Sequence, residues 1–365
     1  MTSELASIAE RVWPAQRRRW WLFSPALDIG AFLGSAAASF LLLAIGAWLG
    51  VLHSDSPTWA WVPTILLIDV AHVWSTGFRV YFDRHELARR PLLYVAVPVV
   101  SFILAVAIYG EGASLFWRVL AYLAVFHFVR QQYGWVALYR ARLGENDTFG
   151  HWVDSAAIYL ATIYPLVYWH AHLPREFWWF RPNDFAGIPR IVEAILCPIY
   201  WGILTFYLLR MAYQWVIAKT PNPGKDIVVI TTALCWHVGI ITFNSDYAFT
   251  VTNVIIHGVP YMVLVYWYRL RRRQTHQYTS ASSRVSMLAT FLATIWLLAY
   301  LEEMFWHRGI WHERTGLFGS TWDVGWWEML LVPLLAVPQM THYILDGFIW
   351  RRRTNPDLAV LFRDD

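Results

Sequence analysis

Four histidines, His72, His127, His257 and His342, each lie inside a long run of apolar residues. An ionisable side chain within hydrocarbon is costly and marks a functional site by default. Counted back from the inner end of each run, the four lie some 8–13 residues deep. At roughly 1.5 Å per residue this is a shared layer ~12–20 Å below the surface. Four imidazoles in one layer have the donor set of a Zn, Cu, Fe or Ni site. Polar residues recur around them at helical spacing. Asp69, His72, Thr76 and Arg79 share one face of the run WAWVPTILLIDVAHVWSTGFRVYF. Arg130 and Gln131 follow His127 within a turn, Asn253 and Tyr261 flank His257 at i−4 and i+4, and Asp346 follows His342 at i+4. A carboxylate one turn from a ligating His fixes its tautomer and raises its basicity. The pattern therefore gives His72, His127, His257 and His342 as metal ligands, with Asp69, Asp346 and Asn253 orienting them. Arg130, Gln131 and Tyr261 are expected to line the reacting cavity, and His237, at similar depth, is a reserve ligand. Asp69 paired with Arg79 or Arg130 as an intramembrane ion pair is the plainer alternative. The remaining histidines, His53, His85, His151, His170, His172, His276, His307 and His312, fall in loops or at the ends of runs and read as surface residues.

The elements that must hold this layer follow from composition. The 365 residues are 58% hydrophobic and 15% charged, with mean hydropathy +0.38; soluble domains carry roughly 25% charge. Several runs exceed the roughly 20 residues that cross a bilayer, and they are continuously apolar instead of alternating, which disfavours a β-barrel. Twenty-four Trp and 19 Tyr suit aromatic belts at two interfaces. The expected fold is all-α, a polytopic transmembrane helical bundle of about ten spans at 27–50, 59–82, 91–110, 114–139, 152–170, 190–218, 226–244, 247–269, 285–304 and 325–350. Arginine clusters (Arg17 to Arg19, Arg271 to Arg273, Arg351 to Arg353) and other Lys/Arg fall in alternate connections, which places both termini in the cytoplasm. The organisation expected is a cytoplasmic segment 1–26, one transmembrane domain 27–350 and a cytoplasmic tail 351–365. The net charge of +4 comes from these flanking arginines and does not describe a nucleic-acid surface. Cys197 and Cys235 lie in apolar runs as small hydrophobes. Two outer connections, 171–189 and 305–324, are rich in Trp, Phe and Arg and read as a cap over the bundle, with a substrate lid as the lesser reading. Glu302, Glu303 and Glu328 read as interfacial carboxylates near water.

The segments FHFVRQQ around His127, NVIIHGVPY around His257 and VPQMTHYILDGFIW around His342 resemble the Brp/Blh family of bacterial and archaeal membrane β-carotene 15,15′-dioxygenases. The resemblance implies a helical membrane bundle with intramembrane histidines holding iron, and O₂-dependent cleavage of a carotenoid. The chain departs from the family pattern at Tyr261 and Gln339, where that family has histidines. The function expected is a membrane-embedded non-haem Fe(II) oxygenase acting on an apolar, lipid-phase substrate such as a carotenoid, isoprenoid or acyl lipid. Its partners would be that small molecule, O₂ and membrane lipids, in a bacterial inner (cytoplasmic) membrane. Two alternatives stand beside it: a proton-coupled permease using the buried Asp, Arg and His, and a bis-His protein holding a single haem. Fatty-acid desaturases fit worse, because no paired histidine boxes lie at the cytoplasmic surface.

Overall fold

The computed structural model describes residues 19–274 and 280–362. Arg17, Arg18 and His276 lie outside them. Among the described residues the protein is helical throughout, with no strand. The long helices are α1 (Pro25–Leu49), α2 (58–79), α3 (Pro91–Glu111), α4 (Ala113–Leu143), α5 (Thr148–Ala171), α6 (Arg190–Val216), α7 (Pro223–Thr242), α8 (Asp246–Gln274), α9 (Ala281–Trp311) and α10 (Gly325–Ile349). Eight of these, all but α2 and α5, are long and apolar enough to cross a membrane. The other two bury polar residues along their length: Asp69 partly, with His72, Thr76 and Arg79, in α2, and Asp154 and Thr162 in α5.

Burial ranks the helices by position. The apolar stretch of α8 is 83% buried inside the protein, against 17% for α3 and 11% for α6. α8 is therefore the axis, packed by α1, α2 and α7, while α3 and α6 turn most of their side chains outward. α10 lies along α3 and reaches α2 and α4; α9 packs on α2, and α5 joins α4, α6 and α7. Two devices bring α2 and α8 together at the depth of the histidines. Gly258 leaves α8 bare where α2 crosses it: a Cβ there would stand 2.6 Å from Ile68 Cγ2 and 3.2 Å from the Ile68 carbonyl oxygen. The second is a widening of α2 to π-helical winding from Val62 to Val70, just before His72. Such insertions re-aim the side chains that follow them and recur at functional sites.

The polar ends are bolted separately. Lys225 on α7 reaches Glu145 at 2.8 Å and Asp154 on α5 at 2.9 Å, and Arg140 and Arg210 converge on the same Asp154. Shared partners of this kind offset the cost of burying a lysine and an aspartate. At the opposite end, the connections 171–189 and 305–324 fold over the bundle. Phe177 and Phe185 pack on Trp169, and Arg308 stacks on Trp322 at 4.1 Å. The 171–189 connection thus packs over the bundle as expected, whereas 305–311 continues α9 and only the rest of 305–324 is a connection, with Phe318 packed on Trp61 of α2.

Candidate metal centre

His72 on α2, His127 on α4, His257 on α8 and His342 on α10 meet in the middle of the bundle, and all four are buried. The Nε2 atoms of His72 and His257 face each other at 3.1 Å, and those of His342 and His127 do the same at 3.1 Å. Around the group, neighbouring ring centroids stand 4.5–5.2 Å apart with the planes steeply inclined. His72 and His127 lie across from each other at 6.5 Å and nearly parallel, at 19°. One ligand atom from each of His72, His127 and His257 falls within 4.8 Å of the others.

The spacing suits an ion. Two nitrogens each about 2.0–2.1 Å from one metal stand about 2.9 Å apart at right angles and about 3.4 Å apart in a tetrahedron. The observed 3.1 Å lies between. An N–H···N hydrogen bond would explain either distance singly. It gives no reason for two such pairs, drawn from four helices, to converge on one point. The cluster could hold a metal ion.

The hydrogen-bond network behind the rings selects a tautomer. As a carboxylate, Asp346 can only accept. Tyr261 Oη therefore donates to Asp346 Oδ1 at 2.5 Å, with Trp350 Nε1 donating to the same oxygen at 3.3 Å. Thr76 Oγ1 then donates to Tyr261 Oη at 2.9 Å and is left to accept from His342 Nδ1 at 2.7 Å. With Asp346 ionised, the hydrogen of His342 falls on Nδ1 and its Nε2 lone pair faces the centre. This is the form a metal requires. Asp346 lies near two imidazoles, 3.8 Å from His127 Nδ1 and 4.0 Å from His342 Nδ1. These are beyond hydrogen-bond length, so its hold on His342 passes through Tyr261 and Thr76. Asp69 Oδ1 is likewise 3.6 Å from His72 Nδ1, close without a hydrogen bond.

Beside the cluster lies a cavity of about 350 Å³ that reaches the cap. Two of its floor residues are stacked on cluster histidines: Phe128 on His257 at 3.5 Å and 8°, and Tyr343 on His127 at 4.7 Å and 26°. Asp69, Asn253, Gln339, Glu302 and Glu303 also face it, as do Trp178 and Trp179 of the 171–189 connection and Trp311 at the end of α9. The other side of the cluster is packed shut. Arg79 pairs with Glu86 at 3.0 Å with both side chains fully buried, donates to the Ile349 carbonyl, and lies over the rings of Tyr268 and Trp350.

Several expectations are corrected by this geometry. Arg130 is exposed, donates to Tyr159 and covers Tyr133, because its position on α4 faces α5 instead of the centre. It is also no partner of Asp69, and Arg79 pairs with Glu86 instead. Gln131 and Tyr261 stand next to the cluster without lining the cavity: Gln131 Nε2 donates to the His257 carbonyl at 2.8 Å, clamping α4 to α8, and Tyr261 belongs to the network behind the rings. Asn253 gives its amide hydrogens to the Phe249 carbonyl and Thr252 Oγ1 and bonds to no imidazole. His237 is no reserve ligand; it sits between α6 and α7, 3.3 Å from Tyr200 Oη and stacked parallel to that ring. His307, expected at the surface, is buried, because α9 continues as a helix to Trp311 and sets His307 one turn from Glu303, at 3.3 Å. Thr76, Tyr343, Phe128, Gln339 and Trp350 had no role assigned from sequence. The i+4 spacing of Thr76 from His72 and of Tyr343 from Gln339 was the available signal. No protein-family model, curated protein or solved structure matches the chain.

Proposed function

We propose that the protein is a membrane-embedded, histidine-ligated non-haem iron oxygenase acting on a lipid-phase substrate, with iron held by His72, His127, His257 and His342. The observation that carries this reading is the pair of 3.1 Å Nε2–Nε2 approaches among four buried rings. Bound Fe(II) would supply redox chemistry with O₂. The chain's own groups do the rest. Thr76, Tyr261 and Asp346 hold His342 in its ligating tautomer, Gln131 fixes the α8 backbone at His257, and Arg79 with Trp350 keeps water out from one side. Substrate reaches the centre from the cavity, whose floor is one ring thick above His127 and His257. The likeness of the His127, His257 and His342 segments to the Brp/Blh dioxygenases supports the same reading. The alternation of Lys/Arg between connections supports ten spans with both termini cytoplasmic, in a bacterial inner membrane.

A bis-His haem fits poorly. A haem would need two facing imidazoles with room for a macrocycle between them, and these four rings converge on one point instead. The carboxylates Asp69, Glu302 and Glu303 along the cavity are what a proton-coupled permease would use. Metal content separates the two readings. Elemental analysis of anaerobically purified protein is expected to give about one iron per chain, lost in His127→Ala. Equal, substoichiometric metal in both proteins would end the iron reading.

A further inference from the structure

The cavity beside the histidines is a poor container for a wholly hydrocarbon molecule. Six carboxylates line it (Asp55, Asp69, Asp246, Glu302, Glu303 and Glu313) against a single guanidinium, Arg314. That guanidinium is already engaged, 4.3 Å over the Trp61 ring and donating to Thr58 Oγ1 and the Ser56 carbonyl. Trp74 and Trp306 donate to Glu302, and His307 approaches Glu303, but no Lys or Arg pairs with either glutamate or with Asp69 among the described residues. The same cavity is lined by an aromatic group in which Trp117, Trp306 and Trp311 meet at 5.1–5.7 Å.

A separate observation shows what is missing. Asn253 is 1% exposed and lines the cavity, yet its Oδ1 accepts no hydrogen bond. Its Nδ2 lies toward α7, where a Cβ on Gly239 would stand 2.8 Å from it. His307 Nδ1, also buried on this cavity, has no partner either. A lone acceptor among carboxylates that have no Lys or Arg partner within the cavity calls for a ligand that brings positive charge and N–H donors together. The tryptophan wall offers the face a cation prefers. A volume near 350 Å³ takes a head group and the first part of a chain.

We propose that this cavity binds the primary-ammonium head group of an amphiphile. The ammonium N–H groups reach Asn253 Oδ1 and the carboxylates of Asp69, Glu302 and Glu303, the tryptophans cover its charge, and the alkyl chain leaves toward lipid. That the bound amphiphile is also the molecule oxidised rests on the iron reading above; the ammonium site itself rests on the cavity alone.

The test measures tryptophan-fluorescence titrations of the full chain in nanodiscs, corrected with empty nanodiscs for partitioning, using octylammonium, octyltrimethylammonium and octanol. Octylammonium is expected to bind at least tenfold more tightly than either of the others. The double variant Glu302→Gln/Glu303→Gln should lose at least tenfold for octylammonium while its octanol titration stays as in the wild type, which also reports that the variant is folded. Equal binding of octanol and octylammonium by the wild-type protein overturns the site, and octyltrimethylammonium binding as well as octylammonium overturns the role given to Asn253. Iron is measured in the same preparation. Tight octylammonium binding without iron removes the oxidation step and leaves the ammonium site standing, whereas iron without selective binding does the reverse.

Discussion

Replacing Gly258 with alanine tests the architecture of the centre without touching a ligand. The added Cβ would stand 2.6 Å from Ile68 Cγ2 and 3.2 Å from the Ile68 carbonyl oxygen. Carbon atoms in good contact are about 3.5–4.0 Å apart, so the Cγ2 contact needs relief of about 1 Å, whereas the carbonyl contact needs a few tenths of an ångström. A new Ile68 rotamer clears only the first contact; the second is backbone, and α2 itself must move away from α8. His257 precedes Gly258 in sequence and His72 lies one turn beyond Ile68, so the movement falls directly on the pair held at 3.1 Å. Metal–ligand distances tolerate about 0.2 Å, so a helix shift of a few tenths of an ångström already exceeds what closure of four ligands on one ion allows. The expected outcome for Gly258→Ala is iron content reduced at least tenfold after anaerobic purification, with a stability loss of about 1–3 kcal/mol from overpacking. Gly110→Ala on α3 is the control, since nothing lies within 4 Å of its added Cβ. Elemental analysis and thermal melting of the two variants are compared with the wild type. A Gly258→Ala protein with wild-type iron and wild-type melting would refute the claim that this crossing sets the histidine spacing.

Further outcomes follow from the same geometry. Asp346→Asn can turn an amide N–H toward Tyr261 and reverse the chain of donors that reaches His342; metal retention against a chelator should weaken about 10–100-fold, and retention at wild-type strength would remove Asp346 from the site. Arg130→Ala should leave iron content unchanged, because Arg130 faces Tyr159 and Tyr133; loss of iron in that variant would restore it to the centre. Burial of Glu86 works against its charge, but Arg79, Tyr94 and Arg89 outweigh burial and hold its carboxyl below the ordinary value of 4.5. A depressed carboxylate contributes stability that is complete above the unfolded value and lost as pH falls through the folded one. Melting temperature should therefore drop as pH is lowered below about 4.5, and Glu86→Gln should start lower at neutral pH and lose part of that dependence. Parallel melting–pH curves for the two proteins would contradict the assignment. Arg79→Ala should cost about 3–5 kcal/mol, the usual result of leaving one member of a buried ion pair alone, read as reduced thermal stability in detergent.

Much of the fold is legible along the chain because lipid-like composition and helix length are local properties. Each of the ten long helices overlaps a run read from apolarity alone, and their ends differ by a few residues where polar turns such as Asn222 and Asp147 cap them. The four histidines were legible too, since an imidazole deep in an apolar run stands out without knowledge of its neighbours. Their helpers were not. Arg130 and Thr76 both follow a histidine by about one turn, yet one faces α5 and the other bonds His342 on α10. Spacing gives the face of a helix a residue shares, but which neighbour that face meets depends on the helix's rotation and partner. His237 failed as a ligand for the same reason: its depth matched, and its helix turned it toward Tyr200.

The amino-acid order alone determines that this is an all-helical chain with apolar helices of membrane length and four histidines within them, because periodicity, length and the cost of a buried polar group act through nearest neighbours in sequence. Only the tertiary structure decides that the imidazoles come from α2, α4, α8 and α10 to meet at 3.1 Å, that Thr76 and Tyr261 carry Asp346's influence to His342, and that the adjoining cavity is acidic. Those facts depend on how far helices distant in sequence approach one another. That distance is set by bare surfaces such as Gly258 against Ile68.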